Sequence, residues 1–372
     1  MALLYLHIPF CRSICGYCDF FKSGRVEQLS AMVAATMTEI ESERDFLSTR
    51  RLETIYFGGG TPSLLSVEQV GAFMERIARC YDVSGVSEVT LEANPDDLTD
   101  EYLRGLRSVG VNRLSIGVQS FDDELLRFMN RRHSASQSIE AIEHARSVGF
   151  DNIAIDLIFG VDGYTSRSLV GSLQQTVDLG VEHVAAYHLT IEERTMFARR
   201  VQRGEFSAVA EEVSEREYEQ VRVALESGGY EHYEISNYAR SGYRSRHNSA
   251  YWRGVEYLGV GAGAHSYARG VRRWSGGSMD RYLQGGDARY ESEVLSEQQM
   301  RNEMVMTSLR CCEGLDLVAF ESRFGVGERA RLLADVERFV AVGWVVVSGD
   351  RVAIVREHFL QSDMIIESLF VV

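Results

Sequence analysis

Short apolar runs alternate with longer amphipathic stretches through the first half of the chain. "LLYLHIPF" precedes a helical stretch from about Glu27 to Phe46, and "TIYFGGGTP" precedes "SVEQVGAFMERIARCY". "EVTLEANP", "RLSIGVQSF" and "NIAIDLIFG" are each followed by segments of helical spacing, and "HVAAYHLTI" closes the series. This succession of strand-then-helix units predicts a parallel sheet. Ser66 and Thr99 stand where helix N-caps belong. Each apolar run ends in polar or glycine residues: His7, "GGGTP", Glu92 with Asn94, Gln119, Asp156 and His188. Side chains on a strand alternate faces. Tyr5 therefore shares a face with His7, Thr90 with Glu92 and Asn94, and Arg113 with Ser115, Gly117 and Gln119. Parallel α/β folds bind ligands at the carboxyl ends of their strands. A polar ring at the top of a partial, TIM-like (β/α)6 barrel accounts for the pattern; a flat, doubly wound sheet is the competing geometry.

After about Glu192 the pattern changes. "AEEVSEREYEQVRVALESGG" is a polar helix, and "YEHYEISNYARSGYRSRHNSAYW" is aromatic and loop-like. From about Ser296, three helical segments and a hairpin ("WVVVSGD", "RVAIV") follow in the order of a winged-helix-like α+β module. The expected division is a barrel core at 1–192, an extension at 193–290 and a C-terminal module at 291–372. "FVAVGWVVV" (Phe339–Val347) is the longest apolar run and reads as a buried strand.

Length agrees with one large unit and a smaller one. No apolar run reaches the roughly 18 residues of a membrane span, and no basic segment precedes an apolar one at the start. The expected location is the cytoplasm. The net charge of −15 removes the electrostatic basis for general nucleic-acid binding, in the C-terminal module as elsewhere. Lys22 is the only lysine, so arginine carries nearly all positive charge.

Cys11, Cys15 and Cys18 crowd one short loop behind the first apolar run. Three thiols at this spacing can hold zinc with a distant fourth ligand. They can also hold an iron–sulfur cluster, which ordinarily takes four thiolates. With three, one iron keeps an open position where a substrate or cofactor can bind, and this reading is preferred. Cys80, Cys311 and Cys312 are scattered and read as ordinary thiols in a reducing compartment.

The cysteine loop, with Tyr17 beside Cys18, resembles the radical S-adenosylmethionine (SAM) superfamily. "YLHIPFC", "YFGGGTPS", "LEANP", "SIGVQSF", "NRRHS" and "DLIFG" resemble its branch around oxygen-independent coproporphyrinogen III oxidase. The resemblance implies a radical SAM barrel in which Cys11, Cys15 and Cys18 ligate three irons of a [4Fe–4S] cluster. SAM would chelate the fourth iron through its methionyl amine and carboxylate. Gly59, Gly60 and Thr61 would lie against the methionyl end, where glycine permits close backbone approach. Glu92, Gln119, Arg131 and Asp156 match SAM-contacting positions, with Arg132 the alternative to Arg131. Tyr5 and the backbone of Tyr17 would complete the pocket. An electron entering the cluster would cleave the sulfonium C–S bond and give a 5′-deoxyadenosyl radical.

The decarboxylating oxidases carry a further cysteine two places after the third; here Asp19-Phe20 follows Cys18. "RHNSAYW" instead resembles the HNxxYW signature of heme chaperones of the HemW type. The resemblance implies that His247, Asn248, Tyr251 and Trp252 serve heme binding. It also implies heme delivery to apo-respiratory proteins, a low-potential electron donor such as flavodoxin or ferredoxin, a second copy of the chain as partner, and peripheral contact with the membrane during delivery. Oxidative decarboxylation of coproporphyrinogen III is the alternative activity, and a zinc-stabilised scaffold the non-enzymatic one. "YLGVGAGAHSY" holds Gly259, Gly261 and Gly263 without a dinucleotide-binding context, and reads as a close backbone approach near SAM or heme.

Overall fold

The computed structural model of the protein describes residues 1–286 and 289–371. Six parallel strands, β1 (Ala2–Ile8), β2 (Leu52–Gly59), β3 (Glu88–Ala93), β4 (Arg113–Gln119), β5 (Ile153–Phe159) and β6 (His183–His188), lie side by side in chain order. A doubly wound sheet needs that order to reverse at some point. Right-handed crossovers that always step the same way leave every helix on one face and curl the sheet around the other. The fold is therefore the partial (β/α)6 barrel. Its strands are buried on both faces, as parallel strands covered by helices must be.

The crossovers carry α1 (Leu29–Ser42), α2 (Val67–Cys80), α3 (Asp100–Ser108), the short α4 (Asp123–Phe128), α5 (Ala135–Ser147) and α6 (Thr165–Leu179). Ser66 and Ser134 form capping boxes with Gln69 and Gln137, and Thr99 accepts from the Tyr102 N–H. The helix expected from Glu27 is one 3-10 turn over Val26–Gln28 and then α1.

Both edges of this sheet are extended. After α7 (Met196–Gln202) and α8 (Glu211–Ser227) come β7 (Glu231–Glu234) and β8 (Asn237–Ala239); β8 pairs antiparallel with β6, and β7 pairs antiparallel with β8 at the outer edge. α9 (Arg246–Trp252) then leads to β9 (Tyr257–Val260), which pairs parallel with β1. β10 (His265–Ala268), β11 (Val271–Ser275) and, after α10 (Met279–Gln284), β12 (Tyr290–Val294) complete twelve strands among the described residues. Glu39 of α1 pins this edge. Its buried carboxylate accepts from the Gly261 N–H at 2.8 Å, Tyr282 Oη at 2.5 Å and Tyr290 Oη at 2.6 Å, enough donors to keep a charge away from water. Gly261 has φ +108°, and a Cβ there would sit 2.4 Å from the His7 carbonyl oxygen. The glycine-rich run thus does mark a close approach, but one between β1 and its neighbour.

The C-terminal segment runs α11 (Glu297–Leu309), β13 (Leu315–Asp316), α12 (Leu317–Phe324), α13 (Val326–Ala341), β14 (Val345–Ser348), β15 (Arg351–Ile354) and α14 (Ser362–Glu367). Apart from α14 this is the winged-helix order, with a three-stranded antiparallel sheet. The run Phe339–Val347 is not one buried strand. It is split at Gly343 (φ +79°) into the end of α13 and the start of β14, whose Val346 and Val347 are exposed. Among the described residues, no helix is long and apolar enough to cross a membrane.

Candidate cofactor site

A cavity of about 590 Å³ opens at the carboxyl ends of the barrel strands. Cys11, Cys15, Tyr17 and Cys18 form one side of it. The loop from Pro9 to Arg25 holds little regular structure beyond a single bridge between Phe10 and Ser23, so its backbone groups find partners elsewhere. The Cys11 N–H donates to the Ser23 carbonyl at 3.0 Å. The Gly16 N–H donates to the Met129 carbonyl at 3.0 Å, and the Gly16 carbonyl accepts from the Phe197 N–H at 2.9 Å. A Cβ on Gly16 would lie 2.5 Å from a Phe197 ring carbon, so this double clasp requires glycine. Asn130 donates its amide to the Ile14 carbonyl at 2.7 Å, and Lys22 donates to the carbonyls of Cys18 and Phe20.

The three thiols are half-buried. Burial pushes the Cys11 and Cys18 thiols up, and Lys22 pulls both down. Thr61 Oγ1 donates to Cys11 Sγ at 3.5 Å, and Arg131 Nη1 to Cys15 Sγ at 3.3 Å. Among the described residues, no three His, Cys, Asp or Glu side chains gather closely enough to hold a single metal ion. Thiols spread along one loop suit a cluster of several irons better than one tetrahedral ion, whose ligands all lie about 2.3 Å from one centre. Gly60 leaves room beside them: a Cβ there would press to 2.8 Å from the Phe10 carbonyl oxygen and 3.0 Å from Cys11 Sγ. Donor set and cradle therefore fit a cluster.

The wall opposite is the inward face of β2 to β5. Gly59, Gly60, Thr61, Glu92, Gln119, Arg131 and Asp156 all line the cavity. Glu92 accepts from Tyr56 Oη and from the Gly59 N–H, each at 2.9 Å. Burial, and then the nearby Asp156 charge, push the Glu92 carboxyl up to about 7. Burial raises Asp156 to about 6 against the pull of Arg131 and Arg113. A cation placed between these carboxylates would be held electrostatically. Arg131 spans the site, donating to Asn94 Oδ1 at 2.8 Å and the Gly117 carbonyl at 2.6 Å as well as to Cys15. Arg132 instead pairs with Asp96 at 2.9 Å and Asp97 at 3.2 Å. The inward-facing one of the two arginines is Arg131. Gln119 ends β4 at φ +67°, a strained backbone for a side chain with a Cβ.

Other expected residues lie elsewhere. Tyr5 sits outside the cavity lining, with its ring 5.9 Å from that of Tyr56. Of His247, Asn248, Tyr251 and Trp252, only Asn248 lines the cavity. His247 is 1% exposed, and both ring nitrogens are engaged, Nδ1 with Thr54 Oγ1 at 2.6 Å and Nε2 with Tyr251 Oη at 2.8 Å. Burial holds its pKa down at about 3. In this position it cannot ligate a heme iron. Glu88 accepts from the Arg246 and His247 N–H groups and seats the start of α9 against β3. Trp252 packs outward, with the Arg310 guanidinium 5.5 Å from its ring centre. The cavity also takes in Arg113, His183, Tyr187 and Asn237, which sequence reasoning did not assign to a site. Period-two alternation places Arg113 on the correct face; nothing local marks Asn237.

The radical SAM superfamily profile matches residues 5–175, and that of the HemN C-terminal domain residues 295–357. The chain is 38% identical to the heme chaperone HemW of Lactococcus lactis subsp. lactis (strain IL1403), over 86% of this chain and 84% of that one. It is 39% identical to the heme chaperone HemW of Bacillus subtilis (strain 168), over 87% of both. Coproporphyrinogen III oxidase (HemN) from Escherichia coli, a radical SAM enzyme, superposes with a TM-score of 0.84 at 23% identity, covering 99% of this chain and 90% of that one.

Proposed function

The chain belongs to the radical SAM superfamily and, within it, to the HemW family, and from that premise we propose that it is a heme chaperone. It would bind heme beside a [4Fe–4S] cluster and SAM and hand the heme to apo-respiratory proteins. The observation that carries the cofactor part is that three thiols from one loop and a buried carboxylate pair from neighbouring strands line one cavity. Cys11, Cys15 and Cys18 would hold the cluster and leave one iron free. The cluster, when bound, supplies a low-potential electron for reductive opening of the SAM sulfonium.

The chain's own residues do the positioning. Glu92 and Asp156 offer acceptors to the ammonium and ribose hydroxyls of SAM. Arg131 holds Asn94, Gly117 and the Cys15 side of the loop in fixed relation, so the wall and the cysteine loop stay in register. Gly59 and Gly60 let the methionyl end approach backbone. Asn248 is the motif residue placed to touch a ligand in the cavity, whereas His247 braces α9.

HemW relatives at 38–39% identity support the chaperone over the decarboxylase, and Asp19-Phe20 after Cys18 agrees with that choice. The remaining parts of the proposal are flavodoxin or ferredoxin as electron donor, a homodimer, and a cytoplasmic location with peripheral membrane contact during delivery. The test is an anaerobic heme titration with and without a reconstituted cluster, followed by heme absorbance and by deoxyadenosine release. Saturable binding near one heme per chain is expected. No saturable binding to cluster-loaded protein would overturn the proposal, and zinc in place of iron in oxygen-free protein would overturn the cofactor assignment.

A further inference from the structure

Inside the barrel, several buried polar side chains carry atoms without a partner. Arg113 opens β4 and is 1% exposed, yet no hydrogen bond or ion pair reaches its guanidinium among the described residues; Nε and Nη1 are both orphaned. Thr90 stands opposite it in the ladder, fully buried, with Oγ1 unpartnered. His183 meets Tyr233 Oη through Nε2 at 2.8 Å and leaves Nδ1 without a partner. Asn237 donates to Glu234 and leaves Oδ1 free. Arg113, His183 and Asn237 all border the cavity.

A buried cation persists only when something offsets it. Neighbouring carboxylates do so through space alone. Glu92 stands opposite Ser115, two residues nearer the cysteine loop, and accepts from Tyr56 and the Gly59 N–H rather than from Arg113. Asp156 and Glu92 feel Arg113 but do not bond it. Arg131 is engaged at the cysteine loop, and His247 lies within electrostatic reach of Arg113. The guanidinium fork matches a carboxylate in two parallel bonds. The nearby Glu92 and Asp156 oppose a doubly charged phosphate more than a monoanion.

We infer that this part of the cavity is a carboxylate subsite in which Arg113 receives one propionate of the heme, so that heme enters with its propionate edge leading. The identity of the occupant rests on the chaperone proposal; the unpaired state of Arg113 does not.

The experiment compares wild type, Arg113→Met and Arg113→Lys, all with reconstituted cluster. Heme and heme dimethyl ester are titrated into each, and each is melted without ligand. The expected result is that wild type binds heme at least about tenfold tighter than the ester. Arg113→Met then binds both with the ester's affinity, and Arg113→Lys recovers most of the preference. The ligand-free Arg113→Met protein melts at or above the wild-type temperature, because it loses a charge that nothing bonded. A clear fall in that melting temperature would mean that Glu92 and Asp156 already pair Arg113, and would overturn the subsite. An acid-over-ester preference that survives in Arg113→Met overturns it too, as ordered water then suffices for the orphaned groups. Wild type that binds neither compound removes heme as the occupant and the chaperone proposal with it, while the melts still decide whether the charge is free.

Discussion

Glu92→Gln separates charge from shape at the centre of the cavity wall. The amide oxygen can keep the bond from the Gly59 N–H, and the amide nitrogen can donate to Tyr56 Oη, so both hydrogen bonds survive. What disappears is an ionised carboxylate in a desolvated place. Folded, Glu92 titrates at about 7; unfolded, it titrates near 4.5. The folded chain thus holds this proton more tightly, and stability falls as pH rises from 4.5 through 7. At about 1.4 kcal/mol per tenfold, the loss amounts to about 3 kcal/mol above pH 7. Ligand-free Glu92→Gln should be the more stable protein at pH 8 by up to that amount, with the difference shrinking towards zero at pH 5. Denaturant unfolding at the two pH values measures it. SAM binding, followed by calorimetry on the same samples, should weaken by about tenfold to a hundredfold through loss of a charge-assisted acceptor. A variant equally less stable at both pH values would show that Glu92 is a structural anchor, and the electrostatic reasoning would be wrong.

Gly60→Ala forces a Cβ to 2.8 Å from backbone atoms of Pro9 and Phe10; a loss of about 1–3 kcal/mol and fewer irons retained per chain after reconstitution are expected, read from thermal melts and metal analysis. His247→Ala should cost about 2–4 kcal/mol by emptying a buried site and stranding the Thr54 and Tyr251 hydroxyls. Because His247 titrates at about 3 when folded and near 6.5 when unfolded, wild type loses stability as pH falls from 6.5 towards 3; melts across that window should show a shallower fall in the variant. Arg131→Lys keeps the charge but gives up the fork to Asn94 and Gly117, so SAM affinity should drop about tenfold, while Arg132→Lys, altering only the pairs with Asp96 and Asp97, leaves it unchanged.

Much of the barrel was legible because parallel strands repeat one physical pattern. Apolar residues fill both faces, and polar ones gather where the strand stops. Glu92, Gln119 and Asp156 stood out as polar strand ends, alternation gave a face to the first two, and all three line the cavity. The choice between Arg131 and Arg132 needed the turn after α4, where Asn130 at φ +61° sets which side chain swings inward. The edge strands β7 to β12 were hidden because they are short, and the two pairings that join them to the barrel, β8 with β6 and β9 with β1, span long stretches of sequence. Phe339–Val347 misled because apolar content cannot separate a helix end from a strand start, and Gly343 supplied the break. For His247 the motif names the residue but not which way it faces, and α9 turns this ring into the packing beside Thr54 and Tyr56.

The double clasp on Gly16 sets an order of events during synthesis. Residues 11 to 18 leave the ribosome before the groups that shape their loop, and the carbonyl of Met129 and the amide of Phe197 emerge more than a hundred residues later. Until then the nascent thiols stand on an unformed segment, open to oxidation and to stray metals. On the proposed cofactor assignment, loading waits until Phe197 has emerged, and a chain truncated before it should retain no iron after reconstitution.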